Sequence, residues 1–168
     1  MRILRTLYIK WLCLTGQAID IWSKHKYPSN VLSNLYNNEF DMDGIHCQSM
    51  EGFLQSLKVK DSDVQIHICS LLGKEAKNNS TVEWKENQTL FWKGQNYKRE
   101  SSDFRALILR AYSYMFTQNE TFRNALLSTK GEKLYHTKGN QNPQDTILTE
   151  EEFCDALTVL RDKKLMKG

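Results

Sequence analysis

Between Gly44 and Lys60 the chain reads G-I-H-C-Q-S-M-E-G-F-L-Q-S-L-K-V-K, and two of its side chains could do chemistry together. Glu51 offers a carboxylate that can act as a general base or face a developing positive charge. Lys58 offers an amine that becomes a nucleophile once deprotonated. Seven positions separate them, about two helical turns, so a helix here points both in one direction, with Gln55 between them and Gln48 at the head of the stripe. Met50, Phe53, Leu54 and Leu57 follow the i, i+3, i+4, i+7 spacing of a face that such a helix buries. A solvated helix face would show the same polar stripe, and spacing alone leaves both readings open. Cys47, at the start of this helix, is a possible thiol nucleophile, although small buried cysteines are the commoner case.

The elements that must position this stripe can be read in outline. Residues 17–27 alternate apolar and polar and predict a half-buried strand. Residues 28–40 are rich in Asn and Ser and predict a loop, followed by a short strand and turn over 40–45. Asp61 or Ser62 caps a second helix with Val64, Ile68, Leu71 and Leu72 as its apolar positions. Residues 78–100 are polar around a strand-like T-L-F-W and Gly94. Ser101 or Ser102 caps a strong helix carrying Phe104, Leu107, Ile108, Ala111 and Met115, and Asn119 caps a shorter one. A second polar loop, 137–148, leads to a T-x-x-E capping box at Thr149 and Glu152 and a final helix.

Composition sets the class. With 168 residues, 26% charged and 40% hydrophobic, the chain suits one globular domain with a sizeable core. A net charge of +3 is compatible with an anionic ligand but too small to argue for nucleic-acid binding by itself. Cys13, Cys47, Cys69 and Cys154 are scattered, which speaks against structural zinc and a disulfide framework and for a reducing, cytoplasmic setting. Residues 1–16 are interrupted by Arg2, Arg5 and Lys10. Their longest apolar run, W-L-C-L, is too short for a secretory core or a membrane span. They are expected to form a strand or packed arm ahead of a domain over 17–168, predominantly helical α+β with a few short strands. No P-loop, G-x-G-x-x-G, G-x-S-x-G or H-E-x-x-H is present, which removes the usual support for those enzyme classes.

Four blocks resemble the NADAR (YbiA-like) family of N-glycosidases acting on ADP-ribosyl or ribosyl-amine compounds. They are I-D-I-W-S…L-S-N-L-Y, then D-G-I-H-C-Q-S-M-E-G-F-L-Q-S-L-K, then F-R-N-A-L-L-S-T-K-G-E-K-L-Y-H-T, and D-T-I-L-T-E-E-E-F-C-D-A-L-T-V-L-R. They span residues from about 19 to 162, and the second is the most specific. Two departures stand out. The His that follows the helix Glu in the family is Gly52, and the family's W-G-D-G is replaced by K-G-N-Q-N-P-Q-D.

The resemblance implies cleavage of a ribose C1–N bond through an oxocarbenium-like state, with no metal or cofactor. The expected substrate is an ADP-ribosylated base, foremost guanine in nucleic acid. A small ribosyl-amine of the riboflavin pathway and a non-catalytic ADP-ribose-binding module are the alternatives. Glu51 takes the place of the family's catalytic carboxylate. Lys58 would attack C1 as an amine, neutralise phosphate, or pair with Glu51 through Gln55. Ser33 and Asn34 match the family loop and could bond ribose hydroxyls or a base edge. Trp84 and Trp92 are stacking candidates, a contact contributing roughly 1–3 kcal/mol. His136 could bond phosphate or orient its loop, Asp145 could add a second carboxylate, and Arg99 with Lys98 could reach a pyrophosphate.

Overall fold

Helix starts and tight turns lay out the chain. The structure, a computed structural model, describes residues 2–79 and 81–165. Asp61 Oδ1 accepts from the backbone N–H groups of Asp63 and Val64, Ser101 Oγ from Phe104, and Asn119 Oδ1 from Phe122. These caps start α4 (Ser62–Cys69), α7 (Ser102–Gln118) and α8 (Glu120–Ser128). The Thr149–Glu152 box starts α9 (Glu150–Leu165), with Glu152 N donating to Thr149 Oγ1 and Thr149 N to Glu152 Oε2. All four starts lie where the side-chain caps predict them.

The strands are short and paired in twos. β1 (Ala18–Asp20) lies parallel to β6 (Lys133–Tyr135), with Ile19 opposite Leu134. β2 (Phe40–Met42) and β3 (Ile45–Cys47) form a hairpin whose two turn residues, Asp43 and Gly44, have φ of 52° and 81°. Lys93 and Gly94 make a similar turn between β4 (Thr89–Trp92) and β5 (Gln95–Lys98). A two-residue turn with both φ positive matches the twist of the strands it joins, which is why glycine closes each. The remaining helices are α1 (Arg2–Leu14), α2 (Ser29–Leu32), α3 (Met50–Ser56), α5 (Gly73–Asn78) and α6 (Trp84–Asn87). The fold is thus α+β and predominantly helical.

Three sequence expectations change. In place of the strand or packed arm expected over residues 1–16, Arg2–Leu14 form a helix, with Ile9 and Leu12 buried and Leu4, Leu7, Tyr8, Trp11 and Leu14 exposed. The strand expected over 17–27 shrinks to Ala18–Asp20, because only these three residues find a partner in β6. The loop over 28–40 contains the single turn α2. No described helix is long and apolar enough to cross a membrane.

The core gathers on α7, which buries Phe104, Leu107, Ile108, Ala111, Tyr112, Met115 and Phe116. Helix α3 adds Met50, Phe53 and Leu54 to the same cluster, and Leu57 joins them just past its end. Next to it lies a buried charge. Arg99 is 1% exposed; its guanidinium grips both oxygens of Glu152 at 3.0 and 2.6 Å and its Nε donates to Thr146 O at 2.8 Å. Glu152→Ala would leave that cation buried without its carboxylate. It is expected to cost about 3 kcal/mol, read as a lower urea midpoint at unchanged slope.

Candidate functional site

Helix α3 is shorter than the Gln48–Lys60 segment expected to be helical. Ser49 Oγ caps it by accepting Gly52 N, and it ends at Ser56. Gln48 lies before it and turns toward His46, with Nε2 3.2 Å from the ring, so it leaves the stripe. Lys58 lies beyond the helix end, yet its N–H still bonds to Gln55 O, which continues the helical sense. Gln65, 1% exposed, fixes this exit by donating Nε2 to Ser56 O, Val59 O and Phe91 O. Glu51, Gln55 and Lys58 therefore all open into one cleft of about 400 Å³.

The opposite walls of the cleft come from three loops. Asn34 enters after α2, and its carbonyl accepts the Glu51 N–H at 2.9 Å. His136, at the end of β6, and the 137–148 loop supply a second wall through Lys138, Asn140, Asp145 and Thr146. Lys77 on α5 closes the rim. Sequence reasoning missed Lys77, Lys138, Asn140 and Thr146. A polar loop and an exposed lysine carry no periodic signal, and only tertiary placement turns them inward.

Glu51 and Gln55 act as a unit, since Gln55 Nε2 donates to Glu51 Oε1 at 2.8 Å. That bond fixes which end of the amide faces the carboxylate. Gln55 Oε1 is then buried without a partner among the described residues, a costly arrangement for a residue that only packs. Burial pushes the Lys58 ammonium down to about 8; the Glu51 charge opposes this, while Lys85 and Lys77 add to it. His136 Nδ1 lies 2.7 Å from Ile21 O, so a neutral ring carries its proton there and leaves Nε2 as an acceptor. Asp145 takes a 2.6 Å bond from Asn142 and a 3.3 Å contact from Lys85, so it serves its own turn while lining the cleft.

Other candidates lie elsewhere. Ser33 is buried and its Oγ accepts Leu35 N, holding the turn that presents Asn34. Trp92 is a core residue, edge-on to Phe53 with ring centroids 5.0 Å apart, and its indole N–H donates to Asp43. Arg99 is the buried strut already described, with no free donor fork for a pyrophosphate. Lys98 reaches Thr89 Oγ1 on its own hairpin and Asn87 O at the end of α6. Trp84 is 3% exposed and lies outside the cleft, beneath Lys58, whose Nζ is 6.0 Å from its ring. It lines a neighbouring groove of about 670 Å³ that begins where Lys58 ends the cleft. Cys47 is buried, and its hydrogen bond with Cys69, reinforced by burial, holds its thiol far above the usual range, unsuited to nucleophilic attack. Among the described residues no group of three or more His, Cys, Asp or Glu converges to hold a metal ion.

Gly52 explains one departure from the NADAR pattern. A Cβ there would sit 3.1 Å from Cys69 O and 3.2 Å from Ile68 O, so a side chain would have to push the end of α4 back by a few tenths of an ångström. The other departure, the K-G-N-Q-N-P-Q-D loop, is itself a wall of the cleft.

This architecture is the YbiA fold. The Escherichia coli protein YbiA, solved by NMR, superposes with a TM-score of 0.60 at 17% identity, over 90% of this chain and 87% of that one. The family described as bacteriophage protein GP30.3 matches residues 26–162, and the chain belongs to it. A protein of Enterobacteria phage T4, named an uncharacterized 17.1 kDa protein in the Gp30-rIII intergenic region, is 40% identical over 147 residues. That alignment covers 86% of this chain and 97% of the phage T4 protein.

The electrostatics of Lys58 give a stability signature. Its folded value, about 8, lies below the ordinary 10.5 of an unfolded lysine. The folded protein therefore holds fewer protons between these two values, and stability should rise with pH across that window. The contribution is complete above 10.5 and lost as pH falls through about 8. Lys58→Met should remove this slope. It should also stabilise the protein at pH 7 by about 2 kcal/mol, a figure already discounted for partial exposure, as measured by urea unfolding at several pH values.

Proposed function

We propose that this protein is an N-glycosidase that hydrolyses the ribose C1–N bond of an ADP-ribosylated base, with guanine in nucleic acid as the leading substrate. The observation that carries this reading is the placement of Glu51 and Lys58 in one cleft, the carboxylate hydrogen-bonded and the ammonium lowered to about 8. The NADAR-like motifs support it independently, because their helix carboxylate falls on Glu51.

Departure of the base leaves positive charge on C1 and the ring oxygen. A carboxylate beside the sugar stabilises that charge and can take a proton from the attacking water. The C1–N electron pair leaves with the base, water supplies the new C1–O bond, and its proton ends on the base nitrogen. Lys58 offers a second route. At pH 7 about a tenth of an amine with such a value is neutral. Its lone pair can attack C1 as the base departs, opening the sugar to an imine that water then hydrolyses to free ADP-ribose and the amine.

Release of ADP-ribose from an ADP-ribosylated oligonucleotide tests the assignment. Glu51→Gln should slow it by at least about 100-fold, and equal rates for the two proteins would refute the carboxylate role. Borohydride added during turnover should trap a covalent adduct that Lys58→Arg abolishes; no adduct in the unmodified protein leaves Lys58 an electrostatic role only. One observation favours a second reading, a non-catalytic ADP-ribose-binding module: the motif's imidazole position is Gly52, where even a Cβ would press to 3.1 Å from Cys69 O. Tight ADP-ribose binding with no turnover of modified DNA or of small ribosyl-amines would establish that reading instead.

A further inference from the structure

Tyr112 is a fully buried polar side chain bonded to a residue of the cleft, and the proposed chemistry does not use it. It sits on the core face of α7 with no measurable exposure, among Ile108, Ala111 and Met115. Its hydroxyl donates to Asn34 Oδ1 at 2.8 Å, and no second hydrogen-bond partner approaches it among the described residues. Burial holds the phenol well above its ordinary range despite the Asn34 bond, so it remains a neutral O–H donor.

That single bond decides how Asn34 is oriented. With the amide reversed, NH2 would face the phenol oxygen and the O–H hydrogen would be stranded in the core without an acceptor, which is the costly alternative. Oδ1 is therefore committed to Tyr112. The backbone carbonyl of Asn34 is committed to Glu51 N. What Asn34 has left for the cleft it lines is its NH2 group, a donor with no protein partner among the described residues. Glu51, on the same cleft, is the complementary acceptor, and Gln55 occupies only its Oε1.

We propose that Tyr112 is a positioning residue that locks the Asn34 amide so that its NH2 donates to a ribose hydroxyl, and that the Asn34 donor with the Glu51 acceptor selects a sugar bearing a hydroxyl beside C1. A hydroxyl both accepts and donates, so one such group satisfies both side chains at once. A 2-deoxy sugar leaves the pair unmatched. The assignment rests on the reading of this cleft as a ribosyl site and names the sugar feature that it recognises.

The test is a double-mutant cycle read by calorimetry, with ADP-ribose as the probe and the full chain as the protein. Tyr112→Phe and Asn34→Ala should each weaken binding about 5- to 10-fold, and the double variant should bind no more weakly than Asn34→Ala alone. Asn34→Asp keeps an acceptor for Tyr112 but removes the NH2, so it should lose affinity at an unchanged melting temperature. Additive losses in the cycle would overturn the proposal. So would a Tyr112→Phe protein that melts lower yet binds normally, full affinity in Asn34→Asp, or absence of ADP-ribose binding by the unmodified protein. Turnover of an ADP-ribosylated oligonucleotide is scored separately. A non-additive cycle without turnover upholds the sugar assignment while removing the hydrolase.

Discussion

A guanidinium cannot shed its charge, so a buried arginine compels its surroundings to supply partners. Arg99 meets that demand with Glu152 and Thr146 O, and in doing so joins the end of the β4–β5 hairpin to the start of α9 and to the last turn of the 137–148 loop. Glu152 also accepts from Thr149 N and Oγ1, so one carboxylate closes the helix cap and neutralises the arginine. Burial alone would raise this carboxyl; the Arg99 and Thr149 hydrogen bonds outweigh it and leave it below the usual range. The last turn of the loop is thereby held as the wall of the cleft at Thr146, Ile147 and Leu148, while Asp20, Lys85 and Gln88 tie down the rest of it. Arg99 never reaches the cleft, but the shape of the cleft depends on it.

The facing wall is held with similar economy. Helix α3 has seven residues, too few to be stable from its own hydrogen bonds. It is kept in place by burial of Met50, Phe53 and Leu54, by the close approach of α4 at Gly52, and by Gln65 satisfying the carbonyls around its exit. Because it stops at Ser56, Lys58 sits on a fixed turn rather than within a helix, between the cleft and the groove floored by Trp84. That partly enclosed position lowers its ammonium, and the nearby Lys77 and Lys85 deepen the effect.

Much of this was readable in the sequence wherever the signal is local. The caps at Asp61, Ser101, Asn119 and Thr149 are short-range hydrogen-bond patterns, and the Met50, Phe53, Leu54, Leu57 period marks a buried face whatever lies against it. Glu51, Gln55 and Lys58 share a cleft because their spacing was helical. Non-local facts were not readable. Whether Trp92 or Arg99 faces inward depends on Asp43 and Glu152, each about 50 residues away in the chain. Helix α1 was missed because Arg5 and Lys10 cut its apolar residues into short runs, which hides a helical period from a reading based on run length. Tyr112 left a trace that could have been followed: within the apolar stripe of Ile108, Ala111 and Met115, a tyrosine must find a partner for its hydroxyl.

The imidazole question gathers these threads. The position that carries a His in the NADAR motif is Gly52 in this chain, and the carbonyls of Ile68 and Cys69 make any side chain there compete with the packing that holds α3. An imidazole is nevertheless present in the cleft, supplied by His136 from the opposite wall. Its Nδ1 is tied to Ile21 O, its ring lies edge-on to Phe153 at 5.3 Å, and its backbone N–H meets Glu150 Oε1 at 3.4 Å. Those contacts come from Ile21, just after β1, and from Phe153 and Glu150 on α9. A close α3–α4 contact at one wall and an anchored histidine at the other thus frame the cleft that Glu51 lines, each fixed by packing outside the cleft itself.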